Sequence, residues 1–475
     1  MSKNQQEEAV VREYAVDECP PPEARHYGFW DLFLTFIGGN ANASTWYVGG
    51  CIASLGFMGA LGVSLIANPI AYLCMGALGY MGYKIGTTSM GLARVPLGIR
   101  GSKVPSVALL FPYLGWCACN TYIAAISISY ILNAVTGMPA YGMEGDTVTM
   151  LIGIFLQSAM TIGAVIIGGS RSVKIFERVS GILLVALTII ITFVVFTTFN
   201  VADIISWKPP AEVSMPLGLG IDNILAFSLA WVTCLAEFTR YTRKPSTAVA
   251  SPVLGATFSM VWFTLVGTVS TIAVAVSTGM FDPNASDPST VVTQLGFGWI
   301  ALVVLILTTV TTNVINLFVG VQAFENIAPK ARGKVVTGVL SALMVLISLI
   351  PMVTGSFLDA FQVFLGYLGA VFPPIGTIII VDYFIMRRGE YDIRFLSKRN
   401  GPYWYSNGIN WCGMLALIFG AVIYFVFGRI GWMMDTLGAV AYSMIATAVV
   451  YALLCTIGKR NGYIRSVDTF RTGND

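Results

Sequence analysis

Apolar stretches of about 20 residues, each long enough to cross a bilayer as a helix, recur along the whole chain. Polar breaks separate them, and the pattern predicts about twelve helices. Their expected ranges are 29–54, 58–83, 105–135, 149–169, 177–200, 218–239, 250–279, 295–326, 335–352, 356–386, 404–428 and 434–457. Alternation of period two is absent, which argues against a transmembrane β-barrel. The expected fold class is an all-α integral membrane protein with the lipid bilayer as its surroundings. Residues 1–28 are polar, without the apolar core of a signal peptide, and read as a disordered cytoplasmic tail. Residues 458–475 read as a second cytoplasmic tail.

Charge gives these helices an orientation. Only 11% of the 475 residues are charged, against about 25% in a soluble domain. All but two of the 27 basic residues fall in segments on one side of the predicted helices; Lys208 and Arg429 are the exceptions. The positive-inside rule then places both termini in the cytoplasm of a multi-pass plasma-membrane protein, expected in a bacterial inner membrane. The net charge of +3 reflects this topology and gives no reason to expect a nucleic-acid partner. Cys117 and Cys119 lack a second pair to complete a metal site, and the lone histidine, His26, lies in the tail. An enzyme with a histidine triad inside the membrane is excluded, and no nucleotide-binding loop is present.

Within helix one, "GGNANASTWYVGG" (Gly38 to Gly50) interrupts an apolar run. Gly38-Gly39 weakens the helix, and Asn40 and Asn42 offer competing hydrogen bonds. Inside a bilayer such a break is tolerated where the freed backbone lines a cavity or binds something, as in secondary transporters. Small-residue packing is the bland alternative, and it suits Gly49-Gly50. Helix eight carries "LTTVTTNVINLF", with Thr308, Thr311 and Thr312 on one helical face. Hydroxyls opposite freed carbonyls would make a neutral oxygen cage suited to Na⁺; back-bonding to their own helix is the alternative. In helix three, Trp116 and Asn120 lie one turn apart, a plane and an amide suited to a flat, hydrogen-bonding ring.

At this point the chain resembles nucleobase:cation symporter family one, the cytosine-permease and hydantoin-transporter group. The stretches that carry the likeness are Ala67 to Ser106, "LGWCACN", "AEFTRYTRKP", "TTNVINLF" and "FPPIGTIIIVDYFIMRRGEYD". The resemblance implies a LeuT-type architecture: inverted five-helix repeats at 29–200 and 218–387, interrupted helices one and six, and two added helices at 404–457. Family sodium ligands match the backbone carbonyls of Gly38, Ala41 and Thr308 and the hydroxyls of Thr311 and Thr312. Substrate positions match Trp116, Asn120, Asn42 with its neighbour Ala43, and Asn313.

The chain also departs from the family. Tyr113 stands where the cytosine branch has an amide. Ser228 stands where the family stacks an aromatic residue, which leaves Phe227 or Trp231 for that part. Asn316 falls one residue before the second asparagine of the hydantoin branch. The expectation is a monomeric Na⁺-coupled symporter of a nucleobase or related heterocycle, with no cofactor besides the coupling ion. The alternative is an H⁺-coupled or uncoupled carrier of allantoin, a hydantoin or a thiamine-precursor pyrimidine. A channel would more often show rings of charge. Glu237, Asp382 and Glu325 sit near helix ends beside basic residues and read as structural. Helices eleven and twelve read as generic packing.

Overall fold

The computed structural model describes residues 14–327 and 333–471, excluding the side chains of 167–180, 322–323, 325–327, 333, 469 and 471. The expected tail residues 1–13 and 472–475, the basic side chains at Arg171, Lys174, Arg178, Lys330 and Arg332, and Glu325 lie outside that description. Among the described residues ten helical stretches are long and apolar enough to cross a membrane, and Trp411–Phe427 is a shorter apolar helix. The only β pairings among them are two isolated bridges.

Helix one consists of Phe29–Asn40 and Ala43–Ile52, with Ala41 and Asn42 outside helical geometry, so the break falls inside the glycine–asparagine stretch. Helix two is Gly56–Ile85 and helix three Leu110–Thr136. Helix six is Leu217–Leu229, a 3-10 turn at Ala230–Thr233, then Leu235–Thr239. Helix seven is Pro245–Thr278, helix eight Gly298–Ile327 and helix nine Gly333–Ser348. Helix ten is Phe357–Ile380, helix eleven Trp411–Phe427 and helix twelve Gly438–Arg460. Helix ten runs unbroken through Pro373 and Pro374 and ends in a π-helical turn, Val381–Met386.

The core centres on helix seven and the second half of helix one, in which every residue is buried. Their backbones touch. A Cβ on Gly49 would collide with the Thr264 carbonyl, and one on Gly267 with the Trp46 carbonyl. Small residues let helices approach this closely in a membrane, where burial of apolar surface no longer drives packing.

Three expectations change. The loop expected at 170–176 is not seen: Thr147–Thr198 is helical throughout. No proline stops it, and both ends, at Ile154 and Leu184, pack into one apolar cluster. The tail is docked from residue 14 onward. The Arg240 guanidinium, 2% exposed, donates to the carbonyls of Tyr14, Ala15 and Glu18. The Arg25 side chain donates to the Tyr83 carbonyl, and Thr87 to that of Val16. A polar segment without an apolar core can still be fixed when buried donors need its carbonyls. Finally, helix twelve is bonded to the rest by buried carboxylates. Tyr451 of helix twelve donates to Asp382, which also binds Arg387 at 3.1 Å.

The Ser89–Leu97 helix joins the two described ends of the chain. Val16 meets Gly91, Arg94 donates to the Leu396 carbonyl, and Val95 packs with Phe395 and Val467. Both described ends of the chain therefore lie on one face, called here the terminal face.

Candidate functional site: an aromatic and amide cluster between two interrupted helices

One side chain stitches the break in helix one. Asn42 accepts from the Thr45 N–H at 2.9 Å and from its hydroxyl at 3.1 Å, capping the second half. Its amide donates back to the Gly39 carbonyl at 3.1 Å. Asn40, fully buried, joins the break to its surroundings. Its amide nitrogen lies 3.0 Å from the Tyr72 hydroxyl, 3.2 Å from the Ala256 carbonyl and 3.3 Å from the Ser259 hydroxyl. Its oxygen accepts from the Trp231 indole at 3.2 Å. The same indole covers Gly39, where a Cβ would lie 2.6 Å from the ring.

The oxygens expected to hold a cation have suitable chemistry. The Thr311 hydroxyl donates to the Thr308 carbonyl at 2.9 Å, and so does the Thr312 hydroxyl at 2.9 Å. Back-bonding therefore occurs, but a hydroxyl oxygen that gives its proton backward keeps lone pairs for a cation. Across the break, the Gly38 carbonyl accepts the Ala41 N–H, which it shares with Ile37. The set is neutral and all oxygen, which fits a hard monovalent ion. No group of three His, Cys, Asp or Glu side chains among the described residues could hold a metal.

The positions expected to meet the substrate form an aromatic cluster. Trp116 is partly buried and meets Phe227 of helix six edge-on at 4.8 Å and Phe364 of helix ten at 4.7 Å. Asn120, one turn on, accepts from the Ser44 hydroxyl at 2.8 Å, and Ser44 belongs to the same first turn as Ala43. Phe227 is thus the helix-six ring that faces Trp116.

Other expected residues point elsewhere. Ser228 is buried and donates to Asn68 of helix two at 3.0 Å. Trp231 is committed to Asn40. Asn313 is drawn to helix three, donating to the Cys117 carbonyl and Thr121 hydroxyl at 3.0 Å each, and its oxygen has no partner. Tyr113 and Asn316 line a separate apolar cleft with Leu110, Leu114, Leu317 and Leu340. Helix periodicity explains these shifts: one residue of offset rotates a side chain by about 100°. Ser44, Phe361 and Phe364 were missed. The spacing of Phe357, Phe361 and Phe364 gives one apolar helix face and was the available signal.

Away from the terminal face this cluster is closed by further rings. Tyr47 stacks on Phe357 at 4.9 Å and meets Phe361 at 4.8 Å, while Tyr122 lies 4.7 Å from Phe357. None of the four is more than 4% exposed. Toward the terminal face, Glu237 of helix six accepts from the Ser89 hydroxyl at 2.7 Å and from its N–H at 3.2 Å. Glu237 therefore ties helix six to the Ser89–Leu97 helix and does not reach the pocket.

Two interrupted helices that meet beside an aromatic and amide cluster define a secondary transporter, not an enzyme. The chain belongs to the family of permeases for cytosine/purines, uracil, thiamine and allantoin, whose family model matches residues 20–450. It is 24% identical over 419 residues to a putative purine-cytosine permease, YxlA, of Bacillus subtilis, covering 86% of each chain. It is 28% identical over 418 residues to the cytosine permease of Escherichia coli K12, covering 84% of this chain and 86% of that one. Its fold matches the inward-facing conformation of Mhp1 with a TM-score of 0.77, 17% identity and 94% of both chains covered. It also matches a closed, bromovinylhydantoin-bound Mhp1 with a TM-score of 0.72, 16% identity and coverage of 96% and 98%. These likenesses bear out the expected LeuT-type architecture.

Proposed function

We propose that the protein is a Na⁺-coupled symporter that takes up a nucleobase or closely related heterocycle by alternating access. The observation that carries this reading is the stitched break in helix one beside the Trp116–Phe227 rings and the Asn120 amide; the threonine face of helix eight supports the ion. Gly38, Ala41 and Thr308 would hold Na⁺ through carbonyls, and Thr311 and Thr312 through hydroxyls. Bound there, the ion would supply a link between helices one and eight and favour one arrangement of the two.

Trp116 and Phe227 offer rings for a flat substrate, and the Asn120 amide and Asn42 lie beside them for its polar edge. The names of the relatives support purines and cytosine as the first candidates. Tyr47, Phe357 and Phe361 close the side away from the terminal face, and their separation would open it. The distribution of Lys and Arg puts the terminal face in the cytoplasm. The protein then works as a monomer in a bacterial plasma membrane. Ion and substrate must each tighten the other's binding, and that linkage is reciprocal.

Thermal unfolding of the purified protein against cytosine, purines, uracil, allantoin and hydantoins, with and without Na⁺, tests this. A ligand of the folded state raises apparent stability by mass action. One heterocycle that stabilises only with Na⁺ supports the proposal. Stabilisation indifferent to Na⁺ overturns the coupling and favours an H⁺-coupled or uncoupled carrier.

A further inference from the structure

We propose that helix twelve is a strut that couples the substrate-facing half of helix six to the terminal-face end of helix ten. The two helices it would join both reach Trp116, through Phe227 and Phe364. Asp222 and Tyr451 are the positioning residues at the two ends of the strut.

At one end, Asp222 of helix six is 3% exposed. Its two oxygens accept the N–H groups of Ala439 and Val440, each at 2.8 Å. Those N–H groups open helix twelve and have no partner inside it, and a carboxylate there also meets the positive end of the helix dipole. The backbones are in contact at the same point. A Cβ on Gly218 would lie 2.6 Å from the Gly438 nitrogen, and one on Gly438 would strike the Gly218 carbonyl. Gly438 has φ +78°, which favours glycine in any case. Phe227 lies on the same unbroken 13-residue helical segment as Asp222. A shift of the anchored end would carry the ring with it.

At the other end, the fully buried Tyr451 donates to Asp382 at 2.6 Å. Asp382 lies in the π-helical turn that closes helix ten, and Arg387 and Tyr391 also bind it. Lys459, a little over two turns later, donates to the Met386 carbonyl of the same turn. Val440 and Tyr451 are about 17 Å apart along one continuous helix at 1.5 Å per residue. Helix eleven braces the middle, where a Cβ on Gly420 would strike the Thr447 hydroxyl. Helix twelve therefore cannot slide or tilt without disturbing a buried carboxylate at one end or the other.

The role in transport rests on the reading given under the proposed function. The test is a double-mutant cycle of Asp222→Asn and Tyr451→Phe, both conservative, read as the half-saturating substrate concentration in uptake and as the maximal rate. The Asp222→Asn change would turn an N–H₂ toward a backbone N–H, and Tyr451→Phe would leave Asp382 with two partners. Each single change is expected to raise the half-saturating concentration about fivefold, the effect of one buried hydrogen bond, with a smaller change in maximal rate. In the double variant the factors should not multiply; it should resemble the worse single. Sites this far apart are normally independent. Multiplying factors, or singles with unchanged half-saturation, overturn the strut. If the unaltered protein transports no heterocycle, the function reading fails on its own, and the same cycle read by thermal unfolding then decides the strut: non-additive shifts support it and additive shifts overturn it.

Discussion

The Trp231 indole N–H donates to the Asn40 side-chain oxygen across 3.2 Å, and this bond joins the interruption of helix one to that of helix six. Trp231 lies in the 3-10 turn that breaks helix six, and Asn40 is the last residue before the break in helix one. The two irregular segments are therefore not free to change independently.

Replacing Asn40 with Ala should destabilise the protein by about 2–4 kcal/mol, because it leaves the Trp231 N–H and neighbouring polar groups without partners in a dry interior. Trp231→Phe should cost less, since the ring still covers Gly39. Thermal unfolding of the two variants checks the order; an Asn40→Ala protein as stable as its parent would contradict it.

Thr312→Ala should raise the half-saturating Na⁺ concentration for uptake about tenfold, or about 1.4 kcal/mol. Thr312→Ser should behave as the parent. Thr308→Ala should also leave Na⁺ dependence intact, because the ligand proposed for Thr308 is its backbone carbonyl, which the substitution keeps. Uptake measured against Na⁺ concentration separates the three.

Two glycines in the same stretch of sequence should respond oppositely. A Cβ on Gly38 meets nothing within 4 Å, so Gly38→Ala should fold normally. Gly49→Ala drives a methyl into the Thr264 carbonyl and should reduce yield and thermal stability sharply. Monodispersity and unfolding temperature of the two variants give the answer.

Asp287 should make stability fall with rising pH. It caps the short helix Pro288–Gln294, outside the membrane spans, and accepts the N–H groups of Ser289 and Thr290. Its second oxygen has no partner, and burial pushes its carboxyl up to about 6. The folded value lies above the unfolded one, so ionisation opposes folding. The contribution is full below about pH 4 and lost as pH rises through about 6, on the order of 2–3 kcal/mol. Asp287→Asn keeps a capping oxygen and cannot ionise. Its unfolding temperature should gain on that of the parent between about pH 4 and about pH 7; an unchanged difference across that range would count against the assignment.

The helix-one break, the threonine face of helix eight and the Trp116–Asn120 pair were legible in the sequence because each is local. Glycines and asparagines weaken a helix wherever it packs, and residues three or four apart share a face in any helix. What Asn40 binds was not legible, since its partners lie 32 to 219 residues away. The turn of Ser228 toward Asn68 was hidden for the same reason: a single residue of register decides which ring faces the pocket. Asp222 did leave a trace, as a carboxylate within an apolar span, where an ionisable group ordinarily has a partner. Its partner is a pair of backbone N–H groups, which no side-chain pattern reveals. The docking of residues 14–28 was missed because composition reports the lack of an apolar core and not the buried arginine that the segment satisfies.

Asn42 bonds to both sides of the gap it sits in, so the gap is a standing feature of the folded chain. On the proposed function, an arriving cation would meet oxygens already out of helical register and would not need to unwind anything. Its binding energy would then be available to discriminate between whole-molecule conformations. A side chain unable to bridge both sides, such as Asp, which lacks the donor toward Gly39, would shift part of that energy into local remodelling and weaken the ion's hold on the global equilibrium.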